Sequence, residues 1–294
     1  MAARAPVRSD AMMAPQVTTE ESTFKGTGGV RLFEARWRPA RPARACLVLV
    51  HGLKDYGARY AELATALAAV GIATHATDLR GHGRSGGERV WVNSFEEYLE
   101  DLDLSLERAR ATYPGKPIFL FGHSMGGTIV TLYTITRKPK LHGLITSAGS
   151  LKPGAGLTPA QARHAKALSL LTPHLATLKL NDELFSRDPK VVAGMATDRW
   201  MEDGPGPART AGELIQARET LQPREGELTV PLLVLHGSAD RVCNPDGSRE
   251  LVDNASSKDK TLKIYNGFYH DLLHEPGHAR VLDDVVGWIN SRAK

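Results

Sequence analysis

Short apolar, β-branched runs alternate along the chain with longer stretches whose apolar residues recur at helical spacing. Segments 33–37 and 46–50 read as strands, the second (Cys46-Leu47-Val48-Leu49-Val50) apolar throughout. Segment 59–70 predicts a helix with Leu63, Leu67 and Val70 on one face, and 72–77 returns to strand. Across 93–113, Phe95, Leu99, Leu102, Leu106 and Ala109 share a helix face, and Pro114, Gly115 and Pro117 end the helix. A strand at 118–121, a helix at 125–137 and a strand at 144–147 follow. Strand–helix alternation of this kind predicts a mostly parallel central sheet with helices on both faces, because each parallel crossover lays a helix on the sheet.

Beyond Ser150 the rhythm breaks. Up to about Arg224 the strand signal disappears, and Pro153, Gly154, Gly156, Pro159, Pro173, Pro189, Gly204, Pro205, Gly206 and Pro207 punctuate short amphipathic helices such as 159–171 and 212–221. Strand patterns resume at 231–235 and 261–265, and a last helix is expected over 278–289. A separate C-terminal domain would leave those two strands without a sheet. The expected organisation is therefore one catalytic domain, 21–149 and 225–294, with an α-helical cap, 150–224, inserted between two of its strands. Residues 1–20 show no clear period and no continuous apolar core of a signal peptide, and read as a mostly disordered leader.

Composition narrows the function class. The 294 residues carry 37 Lys and Arg against 33 Asp and Glu, a net charge of +4, and the basic residues are scattered. No stripe suggests a nucleic-acid partner. No apolar run reaches the roughly 20 residues of a membrane span. The two cysteines, Cys46 and Cys243, form neither a disulfide framework nor a zinc-type spacing. A reducing, cytoplasmic setting is the expectation.

The chemistry-bearing segment is Phe119-Leu120-Phe121-Gly122-His123-Ser124-Met125-Gly126-Gly127. It matches G-x-S-x-G between an expected strand and an expected helix, the context in which that motif forms the nucleophile elbow of an α/β-hydrolase. Ser124 is the candidate nucleophile. Two backbone amides are expected to hold the oxyanion: Met125, at the start of the helix, and Leu53, in the His51-Gly52-Leu53 loop after strand 46–50. A serine hydroxyl needs a neighbouring base, and in this fold the acid and then the histidine follow the serine in the chain. Asp240 lies just past strand 231–235, and His270 just past strand 261–265, so both fall at the carboxyl edge of the sheet. Asp246 and Asp253 lie further on. His274 and His278 fall near the final helix, His236 is beside a strand, and His51, His82 and His123 precede the elbow. Asp240 and His270 are thus the candidate acid and base.

Taken together, these residues resemble the monoacylglycerol lipase family from about Thr23 onward. The likeness is densest in His51–Tyr60 (HGLKDYGARY), Asp78–Glu88 (DLRGHGRSGGE), Gly122–Gly127 (GHSMGG) and the stretch from His236 to His274 that surrounds both acid and base. The resemblance implies hydrolysis of a 1- or 2-monoacylglycerol to fatty acid and glycerol, without metal or organic cofactor. It carries the triad onto Ser124, Asp240 and His270, and the oxyanion donors onto Leu53 and Met125. Cys243 matches a family cysteine that can react with thiol reagents; a buried small residue is the other reading. Leu53-Lys54-Asp55 departs from the smaller stretch common in animal members, and 150–224 matches only loosely, so acyl-chain preference does not carry over. Leu168, Leu170, Leu171, Leu175 and Leu178 cluster near Pro173. They support a lipid-like substrate and raise the hypothesis of peripheral membrane association through the cap. Lysophospholipase or general carboxylesterase activity, and a non-catalytic ligand-binding role, are the competing readings; a carboxylate at the elbow, usual for haloalkane or epoxide chemistry, is replaced here by Ser124.

Overall fold

The computed structural model describes residues 17–152, 158–202 and 204–293. The chain runs β1 (Thr18–Lys25), β2 (Arg31–Arg38), β3 (Ala45–Val50), α1 (Ala61–Ala69), β4 (Ile72–Thr77), α2 (Glu96–Thr112), β5 (Ile118–His123), α3 (Met125–Arg137) and β6 (Gly143–Ser147). It continues through α4 (Pro159–Leu171), β7 (Ala176–Leu178), α5 (Pro189–Thr197), β8 (Gly206–Pro207) and α6 (Ala208–Leu221). It ends with β9 (Leu232–Gly237), α7 (Pro245–Asn254), β10 (Lys260–Tyr265) and α8 (Ala279–Arg292).

Eight strands form one sheet in the order β1-β2-β4-β3-β5-β6-β9-β10. β1 and β2 pair antiparallel, as do β2 and β4, and the remaining pairs are parallel. The fold is an α/β-hydrolase. Its central strands are buried on both faces, so their alternate residues feed two cores. Cys46, Val48 and Val50 of β3 pack with Leu99, Leu102 and Leu106 of α2 and with Ile129 of α3. Leu47 and Leu49 pack on the opposite face with Leu63 and Leu67 of α1 and Val285 and Ile289 of α8. Each such leucine contributes roughly 1.5–3 kcal/mol by leaving water. In α3, eleven of thirteen residues are buried, so it is the interior helix on which the site is mounted.

β9 pairs directly with β6, Leu144 opposite Leu232. The chain thus leaves the sheet after β6, builds α4 to α6, and returns to the adjacent strand position. α6 lies against both α3 and α4.

Several elements differ from expectation. β1 begins at Thr18, so the leader cannot extend to residue 20; its first sixteen residues lie outside the described set. The strand Thr18–Lys25 is polar and lies at the sheet edge, half exposed, which leaves no apolar alternation to read. The helical excursion contains a two-stranded ribbon, β7 with β8, too short to register as a pattern. Pro153, Gly154 and Gly156 lie outside the described residues. α5 and α7 each start with a proline after an Asp or Asn whose side chain accepts from the backbone two residues on, a capped start with little apolar periodicity behind it.

Candidate active site

The site forms where β3, β5, β9 and β10 end at the carboxyl edge of the sheet. β5 passes into α3 through one residue, Ser124, whose backbone sits at φ 53°, ψ −119°. A non-glycine residue there stores on the order of 1–3 kcal/mol of strain. The turn is tight enough to require glycine on either side. A Cβ on Gly122 would lie 2.3 Å from the Gly126 carbonyl oxygen, and one on Gly126 would lie 2.3 Å from that of Val50. Strand, loop and helix therefore pass backbone to backbone, and the Ser124 side chain is pushed out over the sheet edge.

His270 follows β10, and its Nε2 lies 2.9 Å from Ser124 Oγ. Its Nδ1 lies 2.8 Å from Asp240 Oδ2. Asp240 follows β9, and its Oδ1 accepts the amides of Val242 (2.8 Å) and Cys243 (3.0 Å). Burial on its own would raise the Asp240 pKa, but the charge and hydrogen bonds of His270 and His236 hold the carboxyl well below the usual range. The side chains of His270 and Asp240 are fully buried, while Ser124 retains 9% exposure. The geometry lets the hydroxyl give its proton to Nε2 while a fixed carboxylate holds the proton on Nδ1.

Met125 opens α3, so its amide has no helical carbonyl to pair with. Leu53 lies in the loop after β3. Among the described residues neither amide donates to the protein. His51 explains the aim of the Leu53 amide. Its Nε2 accepts the Leu79 amide at 2.9 Å, which leaves the proton on Nδ1, 2.7 Å from the Gly52 carbonyl oxygen. In a trans peptide the N–H points opposite to the C=O. Pinning the Gly52 carbonyl toward the imidazole therefore turns the Leu53 amide away from it. A Cβ on Gly52 would lie 3.1 Å from Ser124 Cβ, so this loop runs directly beside the serine. The chain order that set His51 aside as a base carried no hint of this positioning role.

The other candidates are occupied elsewhere. His236 is buried beside Asp240: its Nε2 lies 3.0 Å from Oδ2, and its Nδ1 meets the Ser248 hydroxyl at 2.7 Å. It is a second histidine on the same carboxylate, which its position on a strand did not reveal. His123 lies tilted against His270 and is pushed down to about 4 by burial and by the neighbouring imidazole, so it stays neutral. His82 is pushed down to about 3 by burial. His278 reaches Glu62 at 3.1 Å. Asp246 and Asp253 are exposed on α7. Cys243 is buried, and burial followed by the Asp240 charge pushes its thiol up to about 12, which suits a packed small residue better than a reactive thiolate. No group of three or more metal-binding side chains occurs among the described residues.

The departure at 53–55 also has a structural account. Lys54 turns its ammonium to the Gly204 carbonyl, while Asp55 turns inward. Asp55 accepts from the Tyr56 amide, Arg59 and the Tyr60 hydroxyl. Arg59 also meets Asp271 at 2.7 Å, and Asp271 meets His274 Nδ1 at 2.8 Å. His274 Nε2 faces the Arg59 carbonyl at 3.1 Å, so both of its nitrogens face acceptors. Burial opposes charge on His274, but Asp271 raises its pKa, favouring the imidazolium. Two buried carboxylates, Arg59 and His274 thus tie the Leu53 loop to the loop that carries His270.

Residues 41–277 match the family described as Serine aminopeptidase, S33. The chain is 38% identical over 274 residues to a monoacylglycerol lipase of Mycolicibacterium smegmatis, covering 93% of this chain and 98% of that one. It is 33% identical over 267 residues to the human monoglyceride lipase, covering 90% and 88% of the two chains. The crystal structure of a Paleococcus ferrophilus monoacylglycerol lipase superposes with a TM-score of 0.81 at 31% identity, covering 89% of this chain and 99% of that one. With the same fold, a Ser-His-Asp hydrogen-bond chain at its sheet edge and relatives of this identity over nearly its whole length, the chain belongs to the Serine aminopeptidase, S33 family and to the monoacylglycerol lipase family of α/β-hydrolases.

Proposed function

We propose that this protein is a serine hydrolase that cleaves the ester of a monoacylglycerol to fatty acid and glycerol through an acyl-enzyme on Ser124. The observation that carries the reading is the unbroken chain from Ser124 Oγ through His270 to Asp240, at 2.9 and 2.8 Å. His270 Nε2 takes the hydroxyl proton as Oγ bonds to the ester carbonyl carbon, and the carbonyl electron pair moves to oxygen. The Leu53 and Met125 amides hold that oxyanion; one such donor is worth about 2.7–4 kcal/mol. On collapse the bond to glycerol breaks and His270 returns the proton to the leaving oxygen. Water, activated by the same imidazole, then releases the acid. No metal or organic cofactor enters the scheme. The monoacylglycerol substrate is supported by the names of the relatives, which span nearly the whole chain. Purified protein is expected to turn over monoacylglycerols with a kcat/KM at least about tenfold above that for lysophospholipids of the same acyl length. Equal or faster lysophospholipid cleavage would reassign the substrate and leave the serine chemistry standing.

The helical excursion, 150–224, acts in this reading as a cap over the site. At the end of α4 and beyond it, Leu170, Leu171 and Leu175 are 73%, 80% and 48% exposed, while Leu168 is half-buried and the Leu178 side chain lies outside the described residues. Adjacent leucines at such exposure are costly in water. They form the face by which the cap would dock on a lipid surface. No helix among the described residues is long and apolar enough to cross a membrane, so the contact is peripheral. The free thiols of Cys46 and Cys243 support a reducing, cytoplasmic setting. On flotation with phosphatidylcholine–phosphatidylglycerol vesicles, the protein is expected to rise with the lipid. The double substitution Leu170→Ser/Leu171→Ser should weaken that binding at least about tenfold. Wild-type protein that stays at the bottom of the gradient removes the docking role.

A further inference from the structure

The hydrogen bonds to Asp240 and Ser124 act in the plane of the His270 imidazole, so the tilt of the ring also depends on what packs against its faces. Two rings lie against it. His123, from the elbow, has its centroid 4.9 Å away at 49°, and Phe185 has its centroid 5.2 Å away at 87°. Phe185 does not belong to the catalytic sheet. It follows a short turn before α5, in the helical excursion, and is only 8% exposed.

The segment carrying it is fastened to the loop carrying His270. The Asp271 amide donates to the Phe185 carbonyl at 2.8 Å. The Ser186 hydroxyl donates to the His274 carbonyl at 2.9 Å. The amide and Nε of Arg187 both donate to the carboxylate of Glu275, whose side chain is fully buried. These contacts run in register along residues 271–275, beside the base. The α4 end of the same excursion, by contrast, exposes its leucines.

We propose that Phe185 is a positioning residue for His270, and that the Arg187–Glu275 pair is the bolt that keeps it there. The excursion then has two parts with different work: a fixed part, 185–187, that completes the catalytic site, and the α4 part that faces the lipid. This inference rests on His270 being the base. A residue that only lined the acyl channel would matter for long acyl chains alone. A residue that sets the imidazole matters for every ester.

The test compares full-length wild type, Phe185→Ala and Phe185→Leu on p-nitrophenyl acetate and on a long-chain monoacylglycerol. Phe185→Ala is expected to lower kcat roughly 10–100-fold on both substrates, with KM within about twofold, as a small misplacement of a reacting group does. Phe185→Leu, which refills most of the space, should recover to within about fivefold of wild type. Arg187→Gln keeps the ring and loosens the bolt, and should lower kcat on both esters by a smaller factor. It decides the matter if Phe185→Ala shows no cooperative thermal transition. A raised KM confined to the long-chain ester, or unchanged kcat on the acetate, overturns the proposal. Ser124→Ala in the same assays separates the two layers: an inactive Ser124→Ala beside a fully active Phe185→Ala sinks only the positioning role, whereas an active Ser124→Ala sinks the reading beneath it.

Discussion

Ser124→Ala is expected to lower kcat by roughly 10⁴–10⁶, the range seen when a member of such a triad is removed. The magnitude follows from what the substitution takes away. Without Oγ no acyl-enzyme forms, and His270 has no proton to collect. The Leu53 and Met125 amides, the proposed oxyanion donors, remain, so a residue of catalysis over water persists. The substitution keeps Cβ, so the strained φ of 53° and the close passage of Gly122 and Gly126 are unchanged. The melting temperature should therefore stay near that of wild type, which separates loss of chemistry from loss of fold. Steady-state hydrolysis and labelling by a fluorophosphonate read the two sides. Normal turnover, or undiminished labelling of the variant, removes Ser124 from the mechanism.

Asp240→Asn carries the second largest expected effect, about 10⁴ in kcat, as for the equivalent change in other serine triads. Asp240 accepts from four groups at once: His270, His236 and the amides of Val242 and Cys243. An asparagine offers one oxygen and one NH₂. If the oxygen stays on the two amides, the NH₂ faces His270 Nδ1 and forces that nitrogen to accept. The proton then moves to Nε2, where it blocks the approach of the serine proton. The carboxylate also sets a negative charge 2.8 Å from the buried imidazolium as it forms. His236 presses on the same oxygen at 3.0 Å, so the variant disturbs a second buried histidine. The Asp240 side chain is fully buried behind His270, on the side away from Ser124, so KM should change little. A variant retaining more than about a tenth of the wild-type kcat is incompatible with this role.

The two effects differ in how they could be foreseen. Ser124 sits in a motif that constrains itself locally: glycines that let backbones touch, a strand before, a helix after. Asp240 and His270 were legible because parallel strands put every following loop at the same edge. His236, His51 and Phe185 were not legible in this way. His236 reads as a packed strand residue, and only the proximity of β9 to its own following loop sets it on Asp240. His51 reads as part of a turn, and its hold on the Gly52 carbonyl depends on the Leu79 amide, 28 residues further along. Phe185 lies in a segment without periodicity, and its partner is 85 positions away.

Periodicity and glycine placement by themselves determined the parallel sheet, its covering helices and the elbow, because these follow from local backbone sterics and from burial on two faces. Edge strand β1 escaped them, since a polar strand at the rim of a sheet has no apolar face to declare it. The tertiary structure alone decided which way the Gly52–Leu53 peptide points, how many histidines share Asp240, how Arg59 joins Asp55 to Asp271, and which part of the inserted helices is fastened to the base. Those are matters of distance and angle between groups remote in the chain, and hydrogen bonding and charge act only where folding has already brought the groups within about 3 Å.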